Sequence, residues 1–373
     1  MRQVLRTACA ILALPVATVV AQTNTTLPGT FKAPPFWPDG RQLYAPLHRG
    51  AVDLATGLYF RENEDLVVPG RPALILRRTY LSGYHASNQF GVGTLHNGEE
   101  YLIGDGERFQ WVALILARGT RIEFTRTTPG TSLADAEYIH DTTDTEWRGA
   151  TLIWTGLTWI LQKRDGATLT FKGCGPEPRS VCSIIQSRDP EGRTTYYRRD
   201  PGGLLLKMED GGARWISFEY DDMHRITRAY ASTGRWVRYV YDDRGRLWSA
   251  TTSEGQEYAY TYTDLDELEA IDEPGTSIVN TYANGRCIRQ INNDPGAEPL
   301  VFEFAYLVVG GRIVQTDSRT SDGRHRSYTW NEASQTVAET LVMKGYDPIV
   351  FDSQLSPTTR SALIRIGPQT AGR

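Results

Sequence analysis

The chain is 373 residues long and carries 40 Lys plus Arg against 44 Asp plus Glu, a formal net charge of -4. This length can bury a sizeable core and hold one to three domains. Because the chain is mildly acidic and has no basic block, it lacks the electrostatic footprint of a nucleic-acid-binding protein, and we expect no nucleic-acid partner. Glycine and tyrosine are plentiful, at 35 and 19 residues, which favours many short strands joined by tight turns.

The N-terminus has the pattern of a secretory signal peptide. Arg2 and Arg6 form a positive start, Ala8–Val20 is an apolar stretch, and Ala21 ends an acceptable small-residue cleavage site. We therefore expect residues 1–21 to be a signal peptide and the mature chain to be secreted, periplasmic or held at the cell envelope, with no membrane span after cleavage. The alternative is an uncleaved membrane anchor, although the apolar stretch is short for a bilayer.

The composition changes along the rest of the chain. Residues 22–46 are dense in proline, which predicts an extended linker. Residues 47–175 carry hairpin signals throughout, the clearest being Asp165-Gly166 between two apolar runs. Prolines return after residue 341 and the apolar patterning fades, so residues 341–373 are predicted to form a loosely ordered tail.

One pattern recurs through residues 176–340: an alternating aromatic strand, then Asp or Asn, then a turn that usually contains glycine. The strand ends recur every 20 to 24 residues, at Tyr220, Tyr241, Tyr262, Tyr282, Tyr306 and Trp330. Apolar residues at period two indicate half-buried strands, and Asp, Asn and Gly indicate turns. Each unit is therefore predicted to be a hairpin joined to the next by a hairpin, forming one antiparallel meander.

Two stretches resemble a known family. The sequence YDDRGRL at Tyr241–Leu247 resembles the core of the YD repeat of RHS-type proteins, and YDDMHRI at Tyr220–Ile226 is a near copy. Upstream, Val52–Tyr84 is similar to the uncharacterised β domain that commonly precedes RHS repeats, through its VDLATG, PG and RRTY segments. The two matches occur in the family's order, with the N-terminal β domain at residues 45–175.

The resemblance implies an all-β chain in which an antiparallel hairpin meander forms a curved or spiralling YD-repeat sheet. In larger relatives such a sheet closes a shell around a C-terminal toxin or a partner polypeptide. Full shells have many more repeats than the six or seven in this chain, and the family's end motif followed by a variable toxin domain is not recognisable here. A partial RHS-like shell is therefore expected.

The aromatic repeats supply the candidate binding residues. Neighbouring strands are predicted to place five tyrosines on one face: Tyr239, Tyr241, Tyr258, Tyr260 and Tyr262. One interpretation is core packing, with the hydroxyls reaching water or polar partners. The other is a wall that binds glycan or protein, because tyrosine offers a flat apolar face and a polar tip. In RHS-like proteins the inward face lines a hollow, so both interpretations are compatible with the resemblance.

Cysteine and histidine spacing gives little sign of a metal site. Cys174 and Cys182 flank a Gly/Pro-rich loop and are the candidate disulfide, and Cys287 is expected to be an odd thiol buried in the sheet. None of the histidines has a metal-binding spacing, so no metal or cofactor is expected. The acidic run from Asp264 to Glu273 could bind calcium, but a solvated face is the favoured interpretation.

These observations lead to three functional hypotheses. The first is an exported, non-enzymatic RHS/YD-repeat protein that binds a protein or carbohydrate at the cell envelope or outside the cell. The second is a truncated toxin-delivery shell that needs a separate partner polypeptide. The third is a secreted glycan hydrolase, which would need a pair of carboxylates at a separation of roughly 5 to 10 Å.

Overall fold

The computed structural model describes residues 51–330, except 106–107, 118, 143–145 and 174–181, together with the backbone of three later strands at 336–342, 349–352 and 363–366. Every regular element in this described part is a β-strand, which confirms the all-β prediction. The predicted signal peptide at 1–21 and linker at 22–46 lie outside the described residues. Among the described residues, no helix has the length and apolar character needed to cross a membrane.

A small N-terminal sheet comes first. Its strands have the order β1-β2-β3-β6, and β4 pairs with β5 alone. The strands are β1 (Ala51–Val52), β2 (Tyr59–Val68), β3 (Leu74–Leu81), β4 (Ser87–Asn88), β5 (Gly91–Val92) and β6 (Thr94–His96). The register of β2 against β3 shifts between Glu64 and Leu66, which leaves Asp65 as the extra residue of a bulge.

Eight strands then form a closed ring. They are β7 (Tyr101–Gly104), β8 (Trp111–Ile115), β9 (Arg121–Arg126), β10 (Glu137–His140), β11 (Ala150–Trp154), β12 (Thr158–Gln162), β13 (Thr168–Lys172) and β14 (Cys182–Arg188). Each strand is antiparallel to the next. The ring closes because β14 also pairs with β7, through Cys182 opposite Leu102. The predicted Asp165-Gly166 turn joins β12 to β13, with Gly166 at a φ of 89°.

The chain continues from β14 as the predicted meander. Its strands are β15 (Thr194–Arg199), β16 (Leu205–Glu209), β17 (Trp215–Tyr220), β18 (Ile226–Ala231), β19 (Trp236–Tyr241), β20 (Leu247–Thr252), β21 (Glu257–Tyr262), β22 (Leu268–Glu273), β23 (Thr276–Ala283), β24 (Arg286–Asn293), β25 (Leu300–Val309), β26 (Arg312–Thr320), β27 (His325–Trp330), β28 (Thr336–Val342), β29 (Ile349–Asp352) and β30 (Leu363–Ile366). Each strand pairs antiparallel with the next, so these strands form one large curved sheet.

Two features of the chain differ from the boundaries that the sequence predicts. The boundary between 175 and 176 separates β13 from β14, yet these strands pair side by side within the ring. The predicted tail at 341–373 contains β29 and β30, which extend the sheet. Both strands are short and rich in β-branched residues, and the prolines nearby obscure the strand pattern in the sequence. The rest of the tail lies outside the described residues.

The predicted alternation along the repeat strands is present. Ile216 and Phe218 are buried on β17, and Tyr239 and Tyr260 occupy the position of Phe218 in the next two units. These residues belong to the same hydrophobic cluster as Leu66, Leu76 and Phe90 of the N-terminal region. The face of the meander that carries them, called here the aromatic face, therefore packs against the N-terminal sheet. Burial of this shared apolar surface is the main force holding the two together.

Backbone hydrogen bonds fix the positions of the N-terminal sheet and of the neighbouring β4–β5 hairpin on the meander. The amide of Ile226 donates to the carbonyl of Gln89 at 2.7 Å, and the amide of Cys287 donates to the carbonyl of Gly57 at 2.8 Å. The amide of Val92 donates to the carbonyl of Gly245 at 3.1 Å. Gly245 lies at a repeat turn with a φ of 78°, a conformation that favours glycine. The contacts span β18 to β24, so the N-terminal sheet is held across several repeats.

Candidate functional site on the aromatic face

The tyrosine that ends each repeat strand bonds to the preceding hairpin. Its hydroxyl donates to a main-chain carbonyl 14 to 19 residues earlier: Tyr220 to Leu205 at 2.6 Å, Tyr241 to Ile226 at 2.6 Å, Tyr262 to Leu247 at 2.8 Å, Tyr282 to Leu268 at 2.9 Å and Tyr306 to Cys287 at 2.6 Å. Every acceptor residue lies at the register shift of its own hairpin. A bulge disrupts the local ladder, and the next repeat supplies a hydroxyl at that point. We call this series the tyrosine ladder.

The aspartate of the repeat organises the turn. The carboxylate of Asp242 accepts the backbone N–H of Arg246 at 2.9 Å and its Nε–H at 2.7 Å. Asp221 holds Arg225 in the same way, at 2.9 and 2.8 Å. Partial burial acts to raise the pKa of both carboxyls, but the hydrogen bonds and charge of the arginines outweigh it and lower the pKa. The repeat therefore has two devices, an Asp–Arg turn and a tyrosine that reaches back.

A buried ion pair lies where the N-terminal sheet meets the aromatic face. Asp65, at the bulge of β2, accepts two hydrogen bonds from Arg78 of β3, at 2.8 and 3.0 Å. Their side chains are only 7% and 4% exposed. Burial opposes the charge on Arg78, but the neighbouring Asp65 outweighs that effect and raises the pKa of the guanidinium, so Arg78 stays charged.

Two tyrosines of the meander complete this pair. The hydroxyl of Tyr239 donates to Asp65 at 2.8 Å, and Arg78 donates to the hydroxyl of Tyr260 at 3.0 Å. The guanidinium carbon of Arg78 also lies 5.9 Å from the centre of the Tyr239 ring and 5.3 Å from that of Tyr260. The four side chains thus satisfy one another across the interface, which is the condition under which a buried ion pair is tolerated. We call them the Asp65–Arg78 cluster.

The structure brings all five predicted binding tyrosines onto the aromatic face. Tyr239 and Tyr260 belong to the Asp65–Arg78 cluster, and Tyr241 and Tyr262 belong to the tyrosine ladder. Tyr258 is half-buried and packs against the hydrophobic cluster. The chain's own N-terminal sheet covers this face, so the contacts match the packing interpretation. Binding of a glycan or protein by these five rings stays a prediction, and it would require the N-terminal sheet to move.

A second polar cluster at the same interface has no signal in the sequence. The carboxylate of Glu99 accepts the backbone N–H groups of Gln89 at 2.9 Å and His96 at 3.0 Å, and a His96 ring nitrogen lies 3.1 Å from Gln89 Oε1. The hydroxyl oxygen of Tyr220 lies 2.9 Å from the same Gln89 oxygen. Burial raises the pKa of Glu99 to about 7, whereas burial and the charge of Arg199 lower the pKa of His96 to about 3.

Of the two cysteines in the described part of the chain, one is bonded and one is free. Cys182 is disulfide-bonded, and its predicted partner Cys174 lies outside the described residues. Cys287 is free and buried in β24, as predicted, and burial raises the pKa of its thiol to about 12. A thiol with a raised pKa carries little thiolate and is a poor nucleophile. Cys287 is therefore a packing residue.

Two carboxylates of the acidic run are engaged by arginines. Asp266 lies 3.1 Å from Arg246 and 3.0 Å from Arg244. Glu273 pairs with Arg61 of the N-terminal sheet. Within the described part of the chain, no group of His, Cys, Asp and Glu side chains is arranged to hold a metal ion. The run contributes to the interface and the turns, and calcium binding stays an untested alternative.

Comparison with known proteins gives one family match. Residues 49–124 match the family model described as a domain of unknown function, DUF6531. The match includes Val52–Tyr84, the segment that resembles the β domain preceding RHS repeats. No curated protein matches the chain.

Solved structures are similar to the chain at low identity. The structure titled TcdB2-TccC3 without hypervariable C-terminal region has 13% identity over 83% of this chain and 20% of that chain, with a TM-score of 0.35. TcdB2-TccC3 itself has 10% identity over 82% and 22%, with a TM-score of 0.37. A Photorhabdus luminescens Tc holotoxin pore has 12% identity over 69% and 19%, with a TM-score of 0.31. The chain spans about a fifth of the length of these solved chains, and the likeness at these scores does not extend to function.

Proposed function

We propose that this chain is an exported, non-enzymatic protein of the RHS/YD-repeat type that binds a protein or carbohydrate at the cell envelope or outside the cell. In this proposal the meander is a scaffold, and the N-terminal sheet permanently covers its aromatic face. Partners would then bind to the outer face or to the turns. The observation that carries the proposal is the Asp65–Arg78 cluster, which joins the N-terminal sheet to β19 and β21.

The energetics of this cluster explain why the aromatic face is a poor site for a passing ligand. A ligand that displaced the N-terminal sheet would separate Asp65 and Arg78 from Tyr239 and Tyr260. Leaving a buried hydrogen-bonding group without its partner costs about 1 to 3 kcal/mol, and two such bonds cross the interface, from Tyr239 to Asp65 and from Arg78 to Tyr260. The ligand would also need to replace the shared apolar contacts of Leu66 and Leu76. The opposite face of the meander has no such cost.

The YD-repeat assignment is supported by what the repeat residues do. Tyr241 belongs to the tyrosine ladder, and Asp242 organises the turn with Arg246. These residues stand in the YDDRGRL segment that carries the resemblance. Export is supported by the signal-like residues 1–21 and by the disulfide at Cys182, because disulfides persist in oxidising compartments.

The test is affinity purification of the tagged mature chain from its own host, read by mass spectrometry and native mass. A partner that is captured equally by the wild type and by a Tyr241→Phe variant would support binding away from the aromatic face. Incubation with a panel of polysaccharides gives the complementary result. Turnover that a single carboxylate substitution abolishes would overturn the non-enzymatic assignment and favour a glycan hydrolase.

A truncated toxin-delivery shell is the second candidate. The observation that favours it is that the aromatic face already accepts a polypeptide, since the N-terminal sheet lies on it with backbone bonds to Ile226 and Cys287. A separately encoded polypeptide would be recognised in the same experiment as a stoichiometric partner that buries a large area. A monomer in native mass measurement, with no protein captured, would count against this candidate.

A further inference from the structure

The face of the meander opposite the N-terminal sheet carries a row of aromatic and basic side chains. In the register of β18 and β19, Tyr230 stands opposite Trp236 and Arg228 stands opposite Arg238. On the adjacent strand β17 lies Trp215, and on the next strand, β16, lies Lys207. We call this set the outer strip: Lys207, Trp215, Arg228, Tyr230, Trp236 and Arg238. At a strand spacing of about 4.8 Å it covers roughly 15 Å of the sheet.

The cations of the outer strip lie on its rings. The guanidinium carbon of Arg228 is 4.6 Å from the centre of the Tyr230 ring and 4.5 Å from that of Trp236, so it sits between the two. The Lys207 ammonium is 5.6 Å from the centre of the Trp215 ring. Such contacts favour the charged groups by about 0.5 to 2 kcal/mol. They hold Arg228 in one place and reduce the entropy that it would lose on binding a ligand.

The charges of the outer strip are incompletely balanced. Glu209 lies 2.7 Å from Lys207, and Glu219 stands opposite Arg228 and hydrogen-bonds to Tyr230. Arg238 is exposed and makes no ion pair or hydrogen bond within the described part of the chain. The Nε of Arg228 is buried without a hydrogen-bond partner there. Like charges directly opposite on neighbouring strands destabilise a sheet, so an anion at Arg228 and Arg238 would relieve the repulsion.

We propose that the outer strip binds an acidic polysaccharide, with a sugar carboxylate held by Arg238 and Arg228. This inference rests on the proposed function, which places partners on the outer face. Arginine is suited to the site because its planar donors match a carboxylate. Thr251 stands opposite Arg238 on β20, and Ser217 stands opposite Tyr230 on β17. Their hydroxyls donate and accept hydrogen bonds, as sugar hydroxyls do.

The same features disfavour nucleic acid. Single strands bind through free aromatic faces on which bases stack, whereas Arg228 already covers one face each of Tyr230 and Trp236. Duplex binding relies on many phosphate contacts from a basic track, and the outer strip has one unbalanced pair of arginines. A ligand with carboxylates spaced along a chain of hydroxyl-bearing rings suits both the charge and the flat surface.

The test is the affinity of the purified mature chain for polygalacturonate, measured by isothermal titration at about 50 mM salt. The variant is Arg238→Gln, because this exposed residue has no partner to disrupt. The matched control is Arg319→Gln, which removes the same charge from an exposed position on β26. We expect about a tenfold loss of affinity for Arg238→Gln, less than a twofold loss for Arg319→Gln, and weakening of binding as salt rises.

Three further ligands complete the design. Dextran replaces the acidic sugar with a neutral one, polyaspartate keeps the carboxylates without the sugar, and single-stranded DNA supplies phosphates. Weaker binding of all three supports the proposal. Equal binding of any of them, no binding of polygalacturonate, or equal losses in the two variants would overturn it. A protein partner captured by both variants, without polygalacturonate binding, would leave the proposed function standing and remove only this inference.

Discussion

The hydroxyl of Tyr241 donates to the carbonyl of Ile226 in the preceding hairpin, at 2.6 Å. Tyr241→Phe keeps the ring and removes this bond. Because a buried carbonyl then loses its donor, we expect a loss of about 1 to 3 kcal/mol in the free energy of unfolding. Tyr241→Ala removes the ring as well, and we expect about 2 to 4 kcal/mol. Urea unfolding gives both values, with the half-exposed Tyr196→Phe as the control. A shift below about 0.5 kcal/mol for the alanine variant would contradict the role given to the tyrosine ladder.

The Asp65–Arg78 cluster predicts a strongly non-additive pair of substitutions. Arg78→Met leaves the buried Asp65 without its ion-pair partner, and Asp65→Leu does the same to Arg78, so each should destabilise by about 3 to 5 kcal/mol. The double variant replaces two charges with two apolar groups and should cost much less than the sum. A double-mutant cycle in urea measures the coupling. Additive losses would show that the two charges act independently.

Glu99 predicts a pH dependence that one variant isolates. Its pKa is raised from 4.5 to about 7 in the folded chain, so the folded state favours the protonated carboxyl. The stabilising contribution is complete below pH 4.5 and is lost as the pH rises towards 7. Glu99→Gln removes this pH dependence. As the pH rises from 5 to 8, the difference in the free energy of unfolding between variant and wild type should therefore shift by on the order of 2 kcal/mol in favour of the variant.

His96 acts in the opposite direction over part of this range. Its pKa is lowered from 6.5 to about 3, so its contribution is present above pH 6.5 and is lost as the pH falls. The histidine is common to wild type and to Glu99→Gln, so its effect largely cancels when the two are compared. Urea unfolding of both proteins at pH 5 and pH 8 is the measurement. Parallel pH profiles would mean that Glu99 is ionised in the folded chain.

Thiol reactivity tests the cysteine assignments. In the native mature chain the buried Cys287 should not react with a thiol reagent at pH 8, because burial raises its pKa to about 12. In denaturant one thiol should react if the Cys174–Cys182 bridge is present, and three should react after reduction. Rapid labelling of the native protein would contradict the burial of Cys287. A count of three without reduction would contradict the bridge.

The local parts of the fold could be predicted from the sequence. The alternation of Ile216 and Phe218, the Asp242–Gly245 turn and the Asp165-Gly166 hairpin each depend on residues close together in the chain. The site could be predicted only in part, since the sequence places the five tyrosines on one face but does not say what covers it. Asp65 and Arg78 are 174 and 182 residues from Tyr239 and Tyr260. No local pattern records a contact over such a separation.

The closure of the ring could not be predicted from the sequence, for a related reason. Cys182 pairs with Leu102 because one edge of β14 pairs with β7 at the beginning of the strand and with β15 towards its end. A periodic pattern predicts that a strand exists but does not identify its neighbour when that neighbour is distant in the chain. From the sequence, the tyrosine ladder could likewise be recognised only as a series of tyrosines at the ends of strands. The acceptors are main-chain carbonyls, which any residue supplies, so the sequence carries the donor but no sign of its target.

The tyrosine ladder also has a direction. Each hydroxyl reaches back to a hairpin that precedes it in the chain, and each hairpin offers its carbonyl to the one that follows. A duplicated hairpin would therefore bring its own donor and meet an acceptor already in place, without any compensating change elsewhere. Lengthening the sheet by copying a single unit of about twenty residues would need no new kind of interaction at the junction. Losing one tyrosine would remove one hydrogen bond, between a single pair of neighbouring hairpins.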